Sequence, residues 1–191
     1  MGEPTSHDRD LREDLRADWA ANRGNTKGRL VVAAYRISRH LRTSGSVLSA
    51  PAAIAYRIIV DWVMGIEIPL SVESGPGLGV WHGTGLVLHR DSVLGSDVVL
   101  RHGVTLGTTT DDDSGRPPTL GDRVSVGTGA ILLGPITIGD DSVIGAGAVV
   151  IGDVPAGATV VGNPGRILPP KAAEAGTNDV APTPTPTRKP T

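Results

Sequence analysis

Two stretches of the chain, residues 94–107 and 120–150, repeat every six residues and decide its fold. They read LGSDVVLRHGVTLG and LGDRVSVGTGAILLGPITIGDDSVIGAGAVV. An aliphatic residue, mostly followed by glycine, returns at every sixth position: Leu94, Leu100, Leu106, Leu120, Val126, Leu132, Ile138, Ile144 and Val150. In an amphipathic helix apolar residues recur every three or four residues, and in a strand with one buried face they recur every two residues. The period of six instead predicts short strands joined by tight turns, with the aliphatic side chains pointing inward.

Hexapeptide repeats of this kind are typical of a parallel β-helix, in which stacked coils bury one continuous core. Three hexapeptides make one triangular coil, so residues 65–155 are expected to form about five coils. The chain has no Phe, three Trp and two Tyr, and this composition requires an aliphatic core. We therefore predict a mainly β fold, preceded by a short α-helical N-terminal region.

The amino-acid composition limits the kinds of partner, metal site and membrane association that can be expected. The net charge is −2, which gives no electrostatic reason to expect a nucleic acid partner. There is no Cys, and hence no disulfide and no thiolate nucleophile or metal ligand. The longest apolar region, residues 50–64, is too short for a transmembrane segment and carries Arg57 and Asp61. These observations predict a soluble, cytoplasmic protein.

Changes in composition divide the chain into four parts. Residues 1–9 are expected to be flexible, 10–64 helical, 65–168 a β-helix, and 169–191 a disordered Thr/Pro-rich tail. Apolar spacing predicts three helices in the second part, and the basic face of the middle one is expected to be solvated. Their expected bounds are Asp10–Arg23, Arg29–Arg42 and Pro51–Met64.

The repeat is interrupted at residues 108–119, which read TTTDDDSGRPPT. This segment is predicted to be a loop projecting from one corner of the coils. Loops on rigid scaffolds are where binding residues concentrate. The run Asp111–Asp113 is interpreted as solvated turn residues.

The histidines are the candidates for acid–base chemistry. His82 falls where the repeat would place an inward aliphatic residue, and small residues around it leave room for a substrate. A histidine of near-neutral pKa is suited to remove a hydroxyl proton. Glu67, 15 residues earlier, could support it from the neighbouring coil or could be a surface carboxylate; spacing alone does not choose. His102 lies about one coil later and is a candidate for lining the same cleft, whereas His89 is expected to be exposed.

Four segments carry a family likeness: GIEIP at 65–69, WHGTG at 81–85, LRHGVTLG at 100–107 and VVGNPGRI at 160–167. With the repeat, they resemble the serine acetyltransferase branch of the hexapeptide acyltransferases, and most of all its colanic-acid-type exopolysaccharide acetyltransferases. The likeness covers residues 30–168.

The resemblance implies a left-handed parallel β-helix that forms a homotrimer, with acyl-CoA bound in clefts between subunits. It implies direct transfer of an acetyl group from acetyl-CoA to a hydroxyl of a small molecule, with no metal. His82 matches the catalytic histidine and Glu67 the carboxylate that orients it, while Arg116 matches a substrate-side arginine. The residues implied for CoA binding are Gly107, Thr108, Gly127, Gly145 and Arg166.

Two positions depart from the serine acetyltransferase pattern. Trp81 replaces an acidic residue before the catalytic histidine, and Pro117 replaces a histidine after the loop arginine. A site without these polar partners is expected to bind serine poorly. We therefore predict a sugar or another alcohol as acceptor, with Trp81 and His102 on the substrate side.

Three alternatives remain open. The first is serine O-acetylation in cysteine biosynthesis, with Arg116 alone holding the substrate carboxylate. The second is a non-catalytic scaffold. The third, a γ-type carbonic anhydrase, ranks last because His82, His89 and His102 are spaced by 7 and 13 residues, which suits a metal site poorly.

Overall fold

The computed structural model of the protein describes residues 10–109 and 115–169. The expected flexible N-terminus, the acidic run at 111–113 and almost all of the expected Thr/Pro-rich tail lie outside these residues. The described chain begins with three helices: α1 (Leu11–Ala21), α2 (Thr26–Thr43) and α3 (Ser49–Tyr56). Helix α3 continues as a π-helical segment, Arg57–Val63. None of the described helices is both long and apolar enough to cross a bilayer.

Fifteen short strands follow among the described residues. They are β1 Ile66–Glu67, β2 Glu73–Ser74, β3 Gly79–Trp81, β4 Leu86–Leu88, β5 Val93–Leu94, β6 Val99–Arg101, β7 Thr105–Gly107, β8 Thr119–Leu120, β9 Ser125–Val126, β10 Ile131–Leu133, β11 Thr137–Ile138, β12 Val143–Ile144, β13 Val149–Val150, β14 Thr159–Val161 and β15 Arg166–Ile167.

The strands form three parallel sheets, the faces of a triangular prism. Face A is β1-β4-β7-β10-β13, face B is β2-β5-β8-β11, and face C is β3-β6-β9-β12-β14. At the end of face C, β15 pairs antiparallel with β14. The parallel β-helix predicted from the repeat is confirmed, with five strands and hence four full turns along face A.

The core is aliphatic, as the composition predicted. All nine aliphatic residues of the repeat are buried. Residues in neighbouring coils stack in register, so that Leu106 pairs with Leu88 on one side and Leu132 on the other. Each inward side chain therefore packs between like neighbours, which is how a narrow solenoid buries a core without large rings.

The first coil is longer than the repeat predicts. Ile66 pairs with Leu86 and Val80 with Leu100, twenty positions apart, whereas Leu132 and Val150 are eighteen apart. The two extra residues lie in the corner after β3. The inward position is consequently Val80, which is buried, while His82 is exposed. The prediction that His82 occupies an inward slot was wrong.

The helix bounds differ from the predicted ones for local reasons. Helix α2 begins at Thr26 rather than Arg29 because the side chain of Asn25 accepts a hydrogen bond from the Gly28 N–H at 3.0 Å. The third helix begins at Ser49, and it changes to π-helical hydrogen bonding at Arg57.

The helices cover the open edge of the first coil on face C. The Asn22 side chain donates to the Leu78 carbonyl at 2.8 Å and accepts from the Val80 N–H at 2.9 Å. Asn25 Nδ2 donates to the Val80 carbonyl at 2.7 Å. These two amides make the hydrogen bonds that another strand would make, and they satisfy an edge that would otherwise be unpaired.

The edges of the other two faces receive side-chain donors as well. Arg36 donates to the carbonyls of Ser74 and Gly75 on the face B side, and the Tyr56 hydroxyl donates to the Ile68 carbonyl at 2.8 Å. Arg39 donates to the Val72 carbonyl at 2.8 Å. The prediction that the basic face of α2 is solvated was therefore wrong.

Arg36 is balanced by a buried carboxylate. Its Nε lies 2.8 Å from Asp18 Oδ2, and both side chains are buried. Asp18 Oδ1 also accepts the Leu78 N–H at 2.8 Å. Burial raises the pKa of Asp18, and the hydrogen bond and charge of Arg36 oppose that rise. Asp18 thus joins α1, α2 and the first coil.

Candidate active site

The turns that join face C to face A stack into one column, which we call the histidine corner: residues 82–85, 102–104, 127–130 and 145–148. His82 and His102 occupy successive coils, with ring centroids 6.0 Å apart and planes at 75°. The corner brings His82 and His102 together with Gly127 and Gly145, four of the residues implied for catalysis, substrate or CoA. Sequence spacing correctly indicated that His102 lies one coil from His82.

The backbone of the corner holds His82 in a left-handed conformation, with φ of 65°. This region is uncommon for residues other than glycine and is often found at functional sites. Gly83 follows with φ of 54°, and a Cβ there would lie 2.7 Å from Ile66 Cδ1. The Thr84 N–H donates to the His82 carbonyl at 2.7 Å. Two consecutive left-handed residues thus turn the His82 side chain away from the core.

Glu67 lies on β1, facing outward from face A opposite Val87. It lines three adjoining depressions of about 270, 320 and 360 Å³. Within the described residues, Glu67 and His82 form no hydrogen bond or ion pair with each other. Burial raises the pKa of Asp61, and the negative charge of Glu67 raises it further. Glu67 therefore influences Asp61 electrostatically.

The loop residues lie at the opposite edge of face A. Gly107 ends β7, and Thr108 and Gly107 line the 360 Å³ depression together with Glu67 and residues 87–90. Arg116 is exposed, whereas Pro117 is buried, so part of the interruption packs against the coils despite its polar composition. The candidate residues of one chain thus form two groups, the histidine corner and the loop edge, separated by face A.

The remaining candidates have varied surroundings. Trp81 is partly buried and folds back along its own strand, where a Cβ on Gly79 would lie 3.5 Å from the indole Nε1. Arg166 is exposed on β15. The His89 side chain is only 12% exposed, and its Nδ1 accepts the Asp91 N–H at 3.2 Å. The prediction that His89 is exposed was wrong.

Sequence reasoning missed Lys27 and Asp61. Lys27 Nζ donates to the Thr84 hydroxyl at 2.9 Å, which places a cation at the histidine corner. Asp61 lies in the π-helical segment, where its Oδ1 is buried without a hydrogen-bond partner in the described structure. The role of Lys27 does not stand out in the sequence, because its contact with Thr84 joins residues 57 positions apart. Asp61 stands out only as a charge within an apolar region.

In residues 10–109 and 115–169, no group of three or more His, Cys, Asp or Glu side chains is arranged to hold a metal ion.

Comparison with known proteins identifies related chains. Residues 117–152 match the family of bacterial transferase hexapeptides (six repeats). Serine acetyltransferase 4 of Arabidopsis thaliana is 34% identical over 175 residues, which cover 85% of this chain and 48% of the relative. The solved structure of soybean serine acetyltransferase complexed with serine is similar with a TM-score of 0.72 and 35% identity, covering 85% of this chain and 71% of that one. The solved structure of a serine acetyltransferase in complex with CoA is similar with a TM-score of 0.69 and 29% identity. The match covers 83% of this chain and 69% of that one.

These likenesses include the N-terminal helices as well as the coils, because they cover more than four fifths of the chain. The chain spans about half the length of the curated relatives it matches.

Proposed function

Because the chain belongs to the serine acetyltransferase family, we propose that it transfers an acetyl group from acetyl-CoA to a hydroxyl of a small acceptor. The observation that carries this proposal is the histidine corner. There an exposed imidazole projects from a left-handed backbone, above glycine-containing turns that leave room for an extended ligand. One relative of known structure binds CoA and another binds serine. A cytoplasmic location is part of the proposal.

The proposed reaction is a single displacement. His82 accepts the proton of the acceptor hydroxyl as that oxygen attacks the thioester carbonyl. The carbon–sulfur bond then breaks, and the imidazolium returns the proton to the CoA thiolate. Backbone N–H groups near the loop edge would stabilise the negative oxygen that forms in between. The pantetheine arm would run past Gly127 and Gly145 on one side and past Gly107 and Thr108 on the other, with Arg166 towards the phosphates.

The separation of the two groups of residues supports a homotrimer. Face A lies between the histidine corner and the loop edge, so one chain does not bring His82 next to Arg116. We propose that the loop edge of one copy faces the histidine corner of its neighbour, which places acyl-CoA in the cleft between them. Mixing inactive His82→Ala subunits with inactive Arg116→Ala subunits tests this: restored activity supports shared sites, and none argues against them.

Glu67 is proposed to support His82 in the bound complex. Catalytic hydrogen bonds are often long in unliganded proteins and tighten when substrate binds. Glu67 lies where the depressions of face A meet, so a bound acceptor would close the gap between the two side chains. The variant Glu67→Gln is expected to lower kcat with little change in KM. An unchanged kcat would remove Glu67 from the proposed machinery.

The comparisons favour serine as the acceptor over the sugar predicted from the sequence. We propose L-serine first, because the family and a serine-bound relative point to it. A sugar is the second candidate, supported by Trp81 and by the buried Pro117, which supplies no side-chain hydrogen bond. Release of CoA from acetyl-CoA, measured with L-serine and a panel of sugars, separates the two.

The test uses His82→Ala and, as a matched control, His40→Ala on the exposed side of α2. Serine-dependent release that falls about 10²–10⁴-fold in His82→Ala and is kept in His40→Ala supports the proposal. Release with sugars alone moves the acceptor to the second candidate. Release unaffected by His82→Ala would overturn the mechanism, and no release with any acceptor would favour the non-catalytic scaffold.

A further inference from the structure

The start of helix α2 reaches the histidine corner through one lysine. Lys27 Nζ donates to the Thr84 hydroxyl at 2.9 Å, and that hydroxyl donates to the His82 carbonyl at 3.4 Å. A single hydroxyl group therefore separates the ammonium of Lys27 from the backbone of His82. The approach is fixed from both sides, because Asn25 and Gly28, which flank Lys27, pack against Val80 on β3.

Three arginines of the described helices and coils lie beside carboxylates, whereas Lys27 does not. Arg36 is paired with Asp18, Arg57 lies near Asp61, and Arg123 is paired with Asp141. Within residues 10–109 and 115–169, Lys27 forms no ion pair with a carboxylate. An ammonium group has three donors, and Thr84 uses one of them. A partly buried cation at the histidine corner thus has donors left for a ligand.

Helix stability does not explain a lysine at this position. Lys27 is the second residue of α2, where the helix dipole disfavours a positive charge. The first turn of α2 contains no acidic residue that would offset it. An anion bound at Lys27 would be favoured both by the ammonium and by its place beside the first turn of this 18-residue helix.

We propose that Lys27 is a specificity-determining residue that binds an anionic group, a carboxylate or phosphate, of the acceptor while His82 receives the hydroxyl proton. This inference rests on the proposed function and narrows its substrate class to acceptors with a negative charge close to the reactive hydroxyl. L-Serine belongs to this class, whereas a neutral sugar does not.

The test compares Lys27→Met, Lys27→Arg and the control Arg23→Met, which removes an exposed charge four residues earlier. The acceptors are L-serine and L-serinamide, which differ in the carboxylate. Lys27→Met is expected to raise KM for L-serine about tenfold or more, the loss typical of one charge-assisted hydrogen bond. KM for L-serinamide should stay the same, Lys27→Arg should recover part of the loss, and Arg23→Met should behave like the wild type.

Two kinetic outcomes would overturn the inference. An equal rise in KM for both acceptors would show that Lys27 only holds the corner in place. A rise in KM for acetyl-CoA alone would show that the anion is a CoA phosphate. Calorimetric binding of L-serine and L-serinamide, measured without acetyl-CoA, separates the two proposals. If L-serine but not L-serinamide binds, the binding depends on Lys27 and there is no turnover, the inference is retained and acetyl transfer is rejected. If L-serine is turned over equally well by Lys27→Met, acetyl transfer is retained and the inference is rejected.

Discussion

The substitution Gly28→Ala probes the contact between the helices and the first coil. Alanine normally stabilises a helix by about 1 kcal/mol relative to glycine. At Gly28, however, the new Cβ would fall within contact distance of the Val80 carbonyl and the side chains of Asn22 and Asn25. It would overpack this contact, at about 1–3 kcal/mol, and displace the two amides from β3.

Three hydrogen bonds join those amides to Leu78 and Val80, and each contributes about 1 kcal/mol. We therefore expect Gly28→Ala to lower the free energy of unfolding by about 3–5 kcal/mol, even after the helical gain. For a chain of this size that corresponds to a fall in Tm of roughly 6–20 °C.

The assay is thermal unfolding followed by circular dichroism, with Gly152→Ala as the control. A Cβ at Gly152 would meet no atom within 4 Å, and Tm should hardly change. A Gly28→Ala protein that melts with or above the wild type would refute the view that α2 must approach β3 this closely.

Two further predictions concern the buried carboxylate of Asp18 and the partly buried carboxylate of Asp61. Asp18→Asn leaves the Arg36 charge without its main partner, so the free energy of unfolding measured in urea titrations should fall by about 3–5 kcal/mol. The control Asp141→Asn, at an exposed ion pair, should change it little. Equal effects of the two variants would contradict the importance of burial. Burial and Glu67 raise the pKa of Asp61 above its ordinary value of 3.8, so this group's favourable contribution is complete below that pH and is lost as the pH rises through the folded-state pKa. Asp61→Asn should therefore gain stability relative to the wild type as the pH rises above about 4, and a pH-independent difference would contradict the raised pKa.

Much of the fold was predictable because a period of six constrains the chain at every coil. The prediction failed at the first coil, where the spacing was extended across the corner at 81–85. The glycines in that corner allow two extra residues. The sequence does not indicate whether a wider turn or a shifted strand register accommodates these two residues. The chemical role of His82 thus stays a prediction, and its predicted place in the core was wrong.

Contacts between distant segments explain the other misses. Arg36 and Lys27 lie on a helix whose charges look alike in the sequence. One is buried against Asp18 and the other reaches the Thr84 hydroxyl, because α2 packs on the first coil in one orientation. The supporting role of Glu67 was implied by the family resemblance, since spacing along the chain did not choose between that role and a surface carboxylate. Its carboxylate faces outward on face A, because Ile66 and Glu67 alternate between the core and the surface along β1.

The side-chain amides at the start of the coils and the reversed strand at their end have a consequence for assembly. A parallel stack is in principle open-ended, since each exposed rung can template another molecule and extend into a filament. Here the side chains of Asn22 and Asn25 occupy the hydrogen-bonding groups of β3, at the N-terminal end of face C. At the other end β15 pairs antiparallel with β14, whereas a further coil would add a parallel strand. Face C therefore cannot be extended by a strand of another copy at either end. Association between copies is directed to the sides of the β-helix rather than to its ends.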